Sequence, residues 1–254
     1  MMFSHYGKLC TEFYDFTKPV GKSINGDLEY YFERLKHVKG RILEAGVGSG
    51  RFLIPLLEKG YVVDGLDYSA DMLKSCRSRC ENRGLNPELF EGKLEDFNLP
   101  YKYEAIIMPT GTFCLLETRE AAINALTCFK SHLLPGGKII VDLALPKDFK
   151  VGDISTSVIS LSNGEGITLE SQSIEIDWVR QRTVTHLKYE KWKEGRLIDT
   201  ELQRLVMSWY GIEEFKLILN EIGFKNISIS SEYIYAKYPK NPDEVITFEA
   251  ELKS

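Results

Sequence analysis

Hydrophobic positions along the chain follow two different periods, and the places where the period changes divide it into parts. Between residues 42 and 145 short apolar runs recur at 42–43, 61–66, 87–92, 103–108 and 138–145, each long enough for a buried strand. Between them, residues 52–57, 70–81 and 118–133 carry apolar positions on one helical face. Pro55 falls in the first turn of the first of these helices and Gly60 ends it; Ser69 caps the second, which closes at residues 82–84; Pro135-Gly136-Gly137 ends the third. Strands alternating with helices predict a parallel sheet covered by helices on both faces.

From about residue 147 to 210 the pattern changes to strict alternation. It runs over 167–179, 183–192 and 197–209, with turns at Arg180-Gln181 and Glu194-Gly195, which predicts three hairpin-linked strands in an inserted antiparallel lobe. The helical period then returns at 212–221, stops at Gly223, and strands at 225–233 and 245–252, separated by Pro239-Lys240-Asn241-Pro242, complete a seven-stranded, mostly parallel sheet. Ahead of the first strand, residues 1–37 are rich in aromatics, with a turn at 23–27 that caps a helix over 28–35.

The candidate chemistry lies at the end of the first strand. Arg-Ile-Leu-Glu-Ala-Gly-Val-Gly-Ser-Gly-Arg (residues 41–51) places Gly46, Gly48 and Gly50 at every second residue, where the chain reverses and a ligand must approach backbone that a Cβ would block. The helix that follows aims its free N–H groups at the same crevice. Asp67 ends the second strand, placed to accept the two hydroxyls of a ribose, and Tyr68 and Ser69 follow it. The spacing differs from the G-x-G-x-x-G of a dinucleotide turn, and Glu44 two residues before the first glycine would repel a pyrophosphate while suiting a cationic amino group.

With Glu44, the glycine triplet, Arg51 and Asp67, the sequence resembles the class I S-adenosylmethionine (SAM)-dependent methyltransferases. The resemblance covers residues 6–145 and, more loosely, the last two strands. It implies a Rossmann-like core over 38–146 and 211–254, an N-terminal helical lid over 1–37, and a lobe over 147–210 that roofs a methyl-acceptor site and is a possible homodimer surface. It implies that Tyr14, in the Tyr14-Asp15 dipeptide, closes over the SAM pocket with its ring beside the sulfonium. Met72, one turn into the second helix, is a candidate contact to the adenine; the resemblance places Leu94 beside the base, and because Lys93 stands where the family often has Asp, Glu95 and Asp96 are both candidates for the polar contact. Ligands lie off the carboxyl ends of strands in such sheets, so Thr110 and Phe113 are expected to floor the methyl-transfer site. "Leu-Leu-Pro-Gly-Gly" before the fifth strand also resembles the family, as a turn.

Charge and composition narrow the partner. With 254 residues, 43% of them hydrophobic, the chain can bury a large core without staples, and a formal charge of −5 with no long basic run argues against nucleic acid. No apolar run reaches membrane-spanning length and no signal peptide opens the chain, so a cytoplasmic location is expected. Cys10, Cys76, Cys80, Cys114 and Cys128 read as free thiols, with no metal site expected. Of the histidines, His37 and His132 read as surface residues at helix ends, while His186 on the lobe and His5 in the lid are candidates, with Tyr14, for groups reaching the acceptor. The expected activity is methyl transfer from SAM to a small-molecule amine or hydroxyl. A nicotinamide-dependent oxidoreductase and a non-catalytic SAM-binding interaction protein remain the alternatives.

Overall fold

The computed structural model describes residues 3–162, 164–242 and 244–253, and the statements below concern those residues. Two N-terminal helices, α1 (Lys8–Thr17) and α2 (Asp27–Leu35), precede β1 (Ile42–Ala45), α3 (Leu53–Glu58), β2 (Val63–Asp67), α4 (Ala70–Glu81), β3 (Leu89–Glu91), β4 (Tyr103–Met108), α5 (Arg119–His132) and β5 (Leu133–Leu143). The chain then forms β6 (Ile154–Ser160), β7 (Glu165–Asp177), β8 (Arg182–Lys193) and β9 (Arg196–Ser208) before α6 (Ile212–Ile222), β10 (Phe224–Ser231) and β11 (Ile246–Leu252). The sheet order is β10-β11-β5-β4-β1-β2-β3, with β1 to β5 parallel and β11 antiparallel to both its neighbours.

Alternation along β4 shows why the sheet is covered twice. Ile106 and Met108 face the cluster built by α5 and α6, through Leu126, Phe129, Phe215 and Leu219. Ala105 and Ile107 face the cluster of α2, α3 and α4, through Tyr31, Leu35, Ile54 and Leu73. Helix boundaries follow local chemistry: the Ser69 hydroxyl accepts from the Met72 N–H at 3.1 Å, the Thr118 hydroxyl from Ala121 N–H, and Gly223 ends α6 at φ 112°. None of the helices is long and apolar enough to cross a membrane.

Strands β6 to β9 form a separate four-stranded antiparallel sheet in sequence order. The expectation of three strands is corrected by β6, five of whose first residues are exposed; an edge strand with little to bury carries no strong alternation. Helix α1 lies between this lobe and the core, its Leu9, Cys10 and Phe13 packing with Met72 of α4 and with Ile159, Ile167 and Tyr189 of the lobe. The segment before it runs as a strap along β9. Ser4 N–H donates to Leu202 O, and the Glu201 carboxylate accepts from the Ser4 hydroxyl (3.0 Å) and the Leu9 N–H (2.9 Å). On the core side the Ser69 hydroxyl donates to Tyr6 O at 2.6 Å.

Two expected surface positions move inward. His132 is buried, donating from Nδ1 to Cys128 O and accepting at Nε2 from Leu99 N–H, because the end of α5 is covered by the loop carrying Phe97 and Leu99. Phe113 is buried against Tyr210 and Phe215, in the core rather than on the floor of the cleft, because the short helical turn at Thr112–Leu115 rotates it inward.

Candidate functional site

A cleft of about 690 Å³ opens where β1 and β4 end, at the point where the chain order of the sheet reverses, and lobe strand β9 forms its far wall. Its first half is lined by Gly46, Gly48, Asp67, Tyr68, Met72, Leu94 and Glu95, with Tyr14 and Lys18 from the N-terminal helix. The second half is lined by His5, Tyr6, Thr110, Thr112, Leu116 and Glu117 and by β9 from Gln203 to Met207.

The glycine turn is shaped by close approach. Gly46 lies at φ 75° and Gly48 at φ 52°, and a Cβ on Gly46 would fall 2.4 Å from Thr112 Cγ2. Asp67 ties the turn to the following helix: Oδ2 accepts from Gly48 N–H at 2.7 Å and Oδ1 from Ser69 N–H at 2.8 Å. Each carboxylate oxygen retains a lone pair for a further donor. Burial raises the Asp67 pKa, and the backbone N–H donors hold it back down.

Glu44, Gly50 and Arg51 do not line the cleft; they stand one layer behind it. Arg51 is buried, with Nη2 on Asp27 Oδ2 at 2.6 Å and Nη1 on Lys22 O at 2.8 Å, so its guanidinium fastens the turn to α2. Gly50 backs onto the Cys76 sulfur, which a Cβ would meet at 2.8 Å. Glu44 is buried behind Gly46; burial pushes its pKa well up against the opposing pull of Arg51, and its Oε2 has no hydrogen-bond partner among the described residues. His186 also lies outside the cleft: it sits on β8, where its ring packs on Phe3 at 5.0 Å, whereas β9 is the strand that faces the core. His5 is at the cleft and exposed.

Several lining groups went unmarked in the sequence. Lys18 sits four residues after Tyr14, a helical spacing that was available to be read, and its Nζ lies 4.7 Å from the Tyr14 ring centroid. Burial lowers its pKa, with Arg51 adding to the effect. Tyr6, Glu117, Gln203 and Arg204 come from the strap, the β4–α5 connection and β9, and only the tertiary fold brings them together.

Thr110 holds a left-handed backbone at φ 59°, uncommon for a β-branched residue, and its N–H donates to Asp142 Oδ2 at 2.8 Å. Asp142 is fully buried at the end of β5 and also accepts from the hydroxyls of Tyr233 (3.0 Å) and Thr247 (2.7 Å). Burial raises its pKa from 3.8 to about 6, against the lowering effect of these donors. A raised folded-state pKa means the native chain holds this proton more tightly than the unfolded one. The contribution is therefore most favourable below about pH 4 and is lost as pH rises through about 6, by up to about 3 kcal/mol. Denaturant unfolding at several pH values in that window should show this loss in the wild type and a flatter profile in Asp142→Asn; identical profiles would remove Asp142 as the titrating group.

Comparison with known proteins shows what this geometry is similar to. Residues 42–137 match the model of a methyltransferase domain. The chain is 28% identical over 134 residues to a dTDP-3-amino-3,4,6-trideoxy-alpha-D-glucopyranose N,N-dimethyltransferase of Streptomyces venezuelae, covering 52% of this chain and 54% of that one. It thus spans about half the length of the curated relatives it matches in this group. Among solved structures, the sugar N-methyltransferase of a Streptoalloteichus species superposes with a TM-score of 0.75 at 19% identity, over 100% of this chain and 98% of that one. A SAM-bound amino pentose methyltransferase of Micromonospora echinaspora gives 0.68 at 18% identity over 99% of each chain. At these identities the likeness to solved structures is one of fold.

The residues present fit S-adenosylmethionine, which the Micromonospora structure holds. The side-chain-free backbone at Gly46 and Gly48, the doubly anchored Asp67 carboxylate and the apolar Met72 and Leu94 match a nucleoside's ribose and base. Motif, sheet order and family model coincide over the same residues, so residues 42–137 carry a methyltransferase domain within a Rossmann-like fold.

Proposed function

We propose that the protein transfers a methyl group from SAM to an amine nitrogen of a small polar molecule held between the core and β9. The observation that carries this reading is the single cleft in which the glycine turn and Asp67 meet Thr110 and the lobe. The amine is favoured over a hydroxyl by the lining groups. Burial raises the pKa values of Tyr6 and Tyr14, so both present protonated phenols rather than bases, and His5 is exposed. A neutral amine needs no base to attack, whereas a hydroxyl benefits from one. The amino-sugar N-methyltransferases among the relatives support the same choice.

In this reading Asp67 holds the ribose, Met72, Leu94 and Tyr68 flank the adenine, and the Gly46–Gly48 backbone bounds the amino-acid end. Lys18, which lines the cleft and has no ion-pair partner among the described residues, offers its ammonium to the cofactor's carboxylate. When bound, SAM supplies a sulfonium-activated methyl group. The chain's contribution is alignment and exclusion of water: Thr110 fixes the floor, β9 the roof, and the strap from Ser4 to Gly7, latched by Glu201 and Ser69, closes the side. The described part of the N-terminal segment, residues 3–37, acts on this view as a lid; residues 1 and 2 of the expected 1–37 lie outside the described residues. Tyr14→Ala should then slow turnover more than it weakens SAM binding, and equal losses in kcat and affinity would argue against that role.

Calorimetric titration with SAM, S-adenosylhomocysteine and NADH, followed by mass spectrometry of amines incubated with SAM, tests the whole reading. Binding of the first two together with a methylated amine is expected. NADH binding alone would return the oxidoreductase alternative, and SAM binding without transfer to any amine or alcohol would favour a non-catalytic binding protein.

A further inference from the structure

One polar group in the cleft is unmatched by the protein itself. Gln203 lies on β9 with only 2% of its surface exposed, lines the cleft, and its Oε1 finds no hydrogen-bond partner among the described residues. Its strand position is fixed on both sides: it pairs with Leu187 of β8 and bridges to Ser4 of the strap. A buried, unpaired carboxamide on a rigid strand is costly unless a ligand completes it. Its neighbours in the lobe wall, Leu205 and Val206, supply no alternative partner by side chain. The adjacent Arg204 is engaged with Glu117 at 3.5 Å, a partly exposed pair at the rim.

We propose that Gln203 selects the methyl acceptor, and that the acceptor is a vicinal amino alcohol. This rests on the proposed amine methylation and deepens it. The carboxamide has an accepting and a donating end, interchangeable by a half-turn of the side chain. A lone amine whose lone pair is directed at the methyl carbon pairs with the accepting end only. An amine beside a hydroxyl offers a donor and an acceptor at neighbouring positions and completes the amide in either orientation. Gln203 is thus an acceptor-binding residue; the groups proposed to hold the cofactor's ribose and base, Asp67, Met72 and Leu94, come from β2, α4 and the loop after β3 rather than from β9.

The test compares a vicinal aminocyclohexanol with cyclohexylamine as ligands of the S-adenosylhomocysteine complex, read by ligand-observed NMR, in the wild type and in Gln203→Leu and Gln203→Glu. The aminocyclohexanol should bind the wild type, and about tenfold more tightly than cyclohexylamine, the worth of one well-made hydrogen bond. Gln203→Leu should abolish that preference while leaving S-adenosylhomocysteine affinity and thermal stability unchanged or higher, since an unpaired buried polar group is removed. Gln203→Glu, which keeps shape but loses the donor, should retain part of the preference. Equal binding of the two ligands to the wild type, no binding of either, or a preference that survives Gln203→Leu would each overturn the assignment. Failure of S-adenosylhomocysteine itself to bind would instead overturn the methyltransferase reading.

Discussion

Asp27→Ala should destabilise the protein by about 3–5 kcal/mol, the range for removing one partner of a buried ion pair. Asp27 is 0% and Arg51 3% exposed, and the substitution would leave the guanidinium buried without its paired carboxylate, with the Lys22 carbonyl and the Phe52 ring beside it and Tyr14 and Glu44 nearby. It would also strip the acceptor from the Ile24 and Leu28 N–H groups, both of which donate to Asp27 Oδ1. The double variant Asp27→Leu with Arg51→Met should recover much of the loss, because no charge is then left buried. Denaturant unfolding of the wild type, the single variants and the double variant measures the coupling directly; additive losses would show that the pair is not the source. The functional consequence follows from position. Arg51 immediately follows Gly50, so loss of the pair should loosen the glycine turn and weaken S-adenosylhomocysteine binding, although Arg51 never faces the cleft.

That Arg51 acts from behind the wall marks the limit of what the sequence made legible. Features set by chemistry within a few residues could be read: the Ser69 cap, the Gly223 stop, the buried run of β4 and the positive-φ glycines of the turn. Asp67 could be read because strand length and the sheet's twist fix its place once the turn is located, and the structure puts it in the cleft. Side-chain direction around a turn is different. Arg51 and Thr110 both follow a strand closely, yet one is drawn inward by Asp27 and the other faces the cleft, and only the packed α2 decides between them. His132 and Phe113 turned inward for the same reason, each covered by an element distant in the chain.

The lobe shows the complementary limit. Alternation in β7, β8 and β9 was visible because each has one face against α1, the core or the cleft, while β6 buries almost nothing and left little pattern. Which face of β9 meets the cleft depends on the strap and α1 packing onto the lobe, with Ser4 paired beside Gln203. The part of the cleft proposed to hold the acceptor is therefore a tertiary product, assembled from the strap, the loop after β4 and β9. The part proposed to hold the cofactor draws Gly46, Gly48, Asp67, Tyr68 and Met72 from one short stretch inside the matched methyltransferase domain, joined by Leu94 and Glu95 and, from the N-terminal helix, by Tyr14 and Lys18.

Asp67→Ala should lower affinity for S-adenosylhomocysteine by about 1.5–3 kcal/mol, on the order of tenfold to a hundredfold, as a charged acceptor is lost. The carboxylate has two tasks, and the variants separate them. Its bonds to Gly48 and Ser69 N–H hold the turn against the start of α4, and in the proposed function its remaining lone pairs meet the ribose. Asp67→Asn keeps an oxygen for one backbone donor but turns an NH2 toward the other. It should therefore perturb the turn and still bind poorly, whereas Asp67→Glu keeps the charge and displaces it by one methylene. If the ribose contact dominates, Glu should bind better than Asn; if anchoring the turn dominates, both should lose affinity and stability together. pH gives an independent reading. Burial raises the Asp67 pKa above the ordinary carboxylate value, and only the ionised form accepts at both oxygens. Wild-type affinity should thus fall on acidification sooner than an exposed aspartate would cause, and that component should vanish in Asp67→Ala. Calorimetry across acidic to neutral pH on both proteins measures it, and a parallel fall in the two would remove Asp67 from the site.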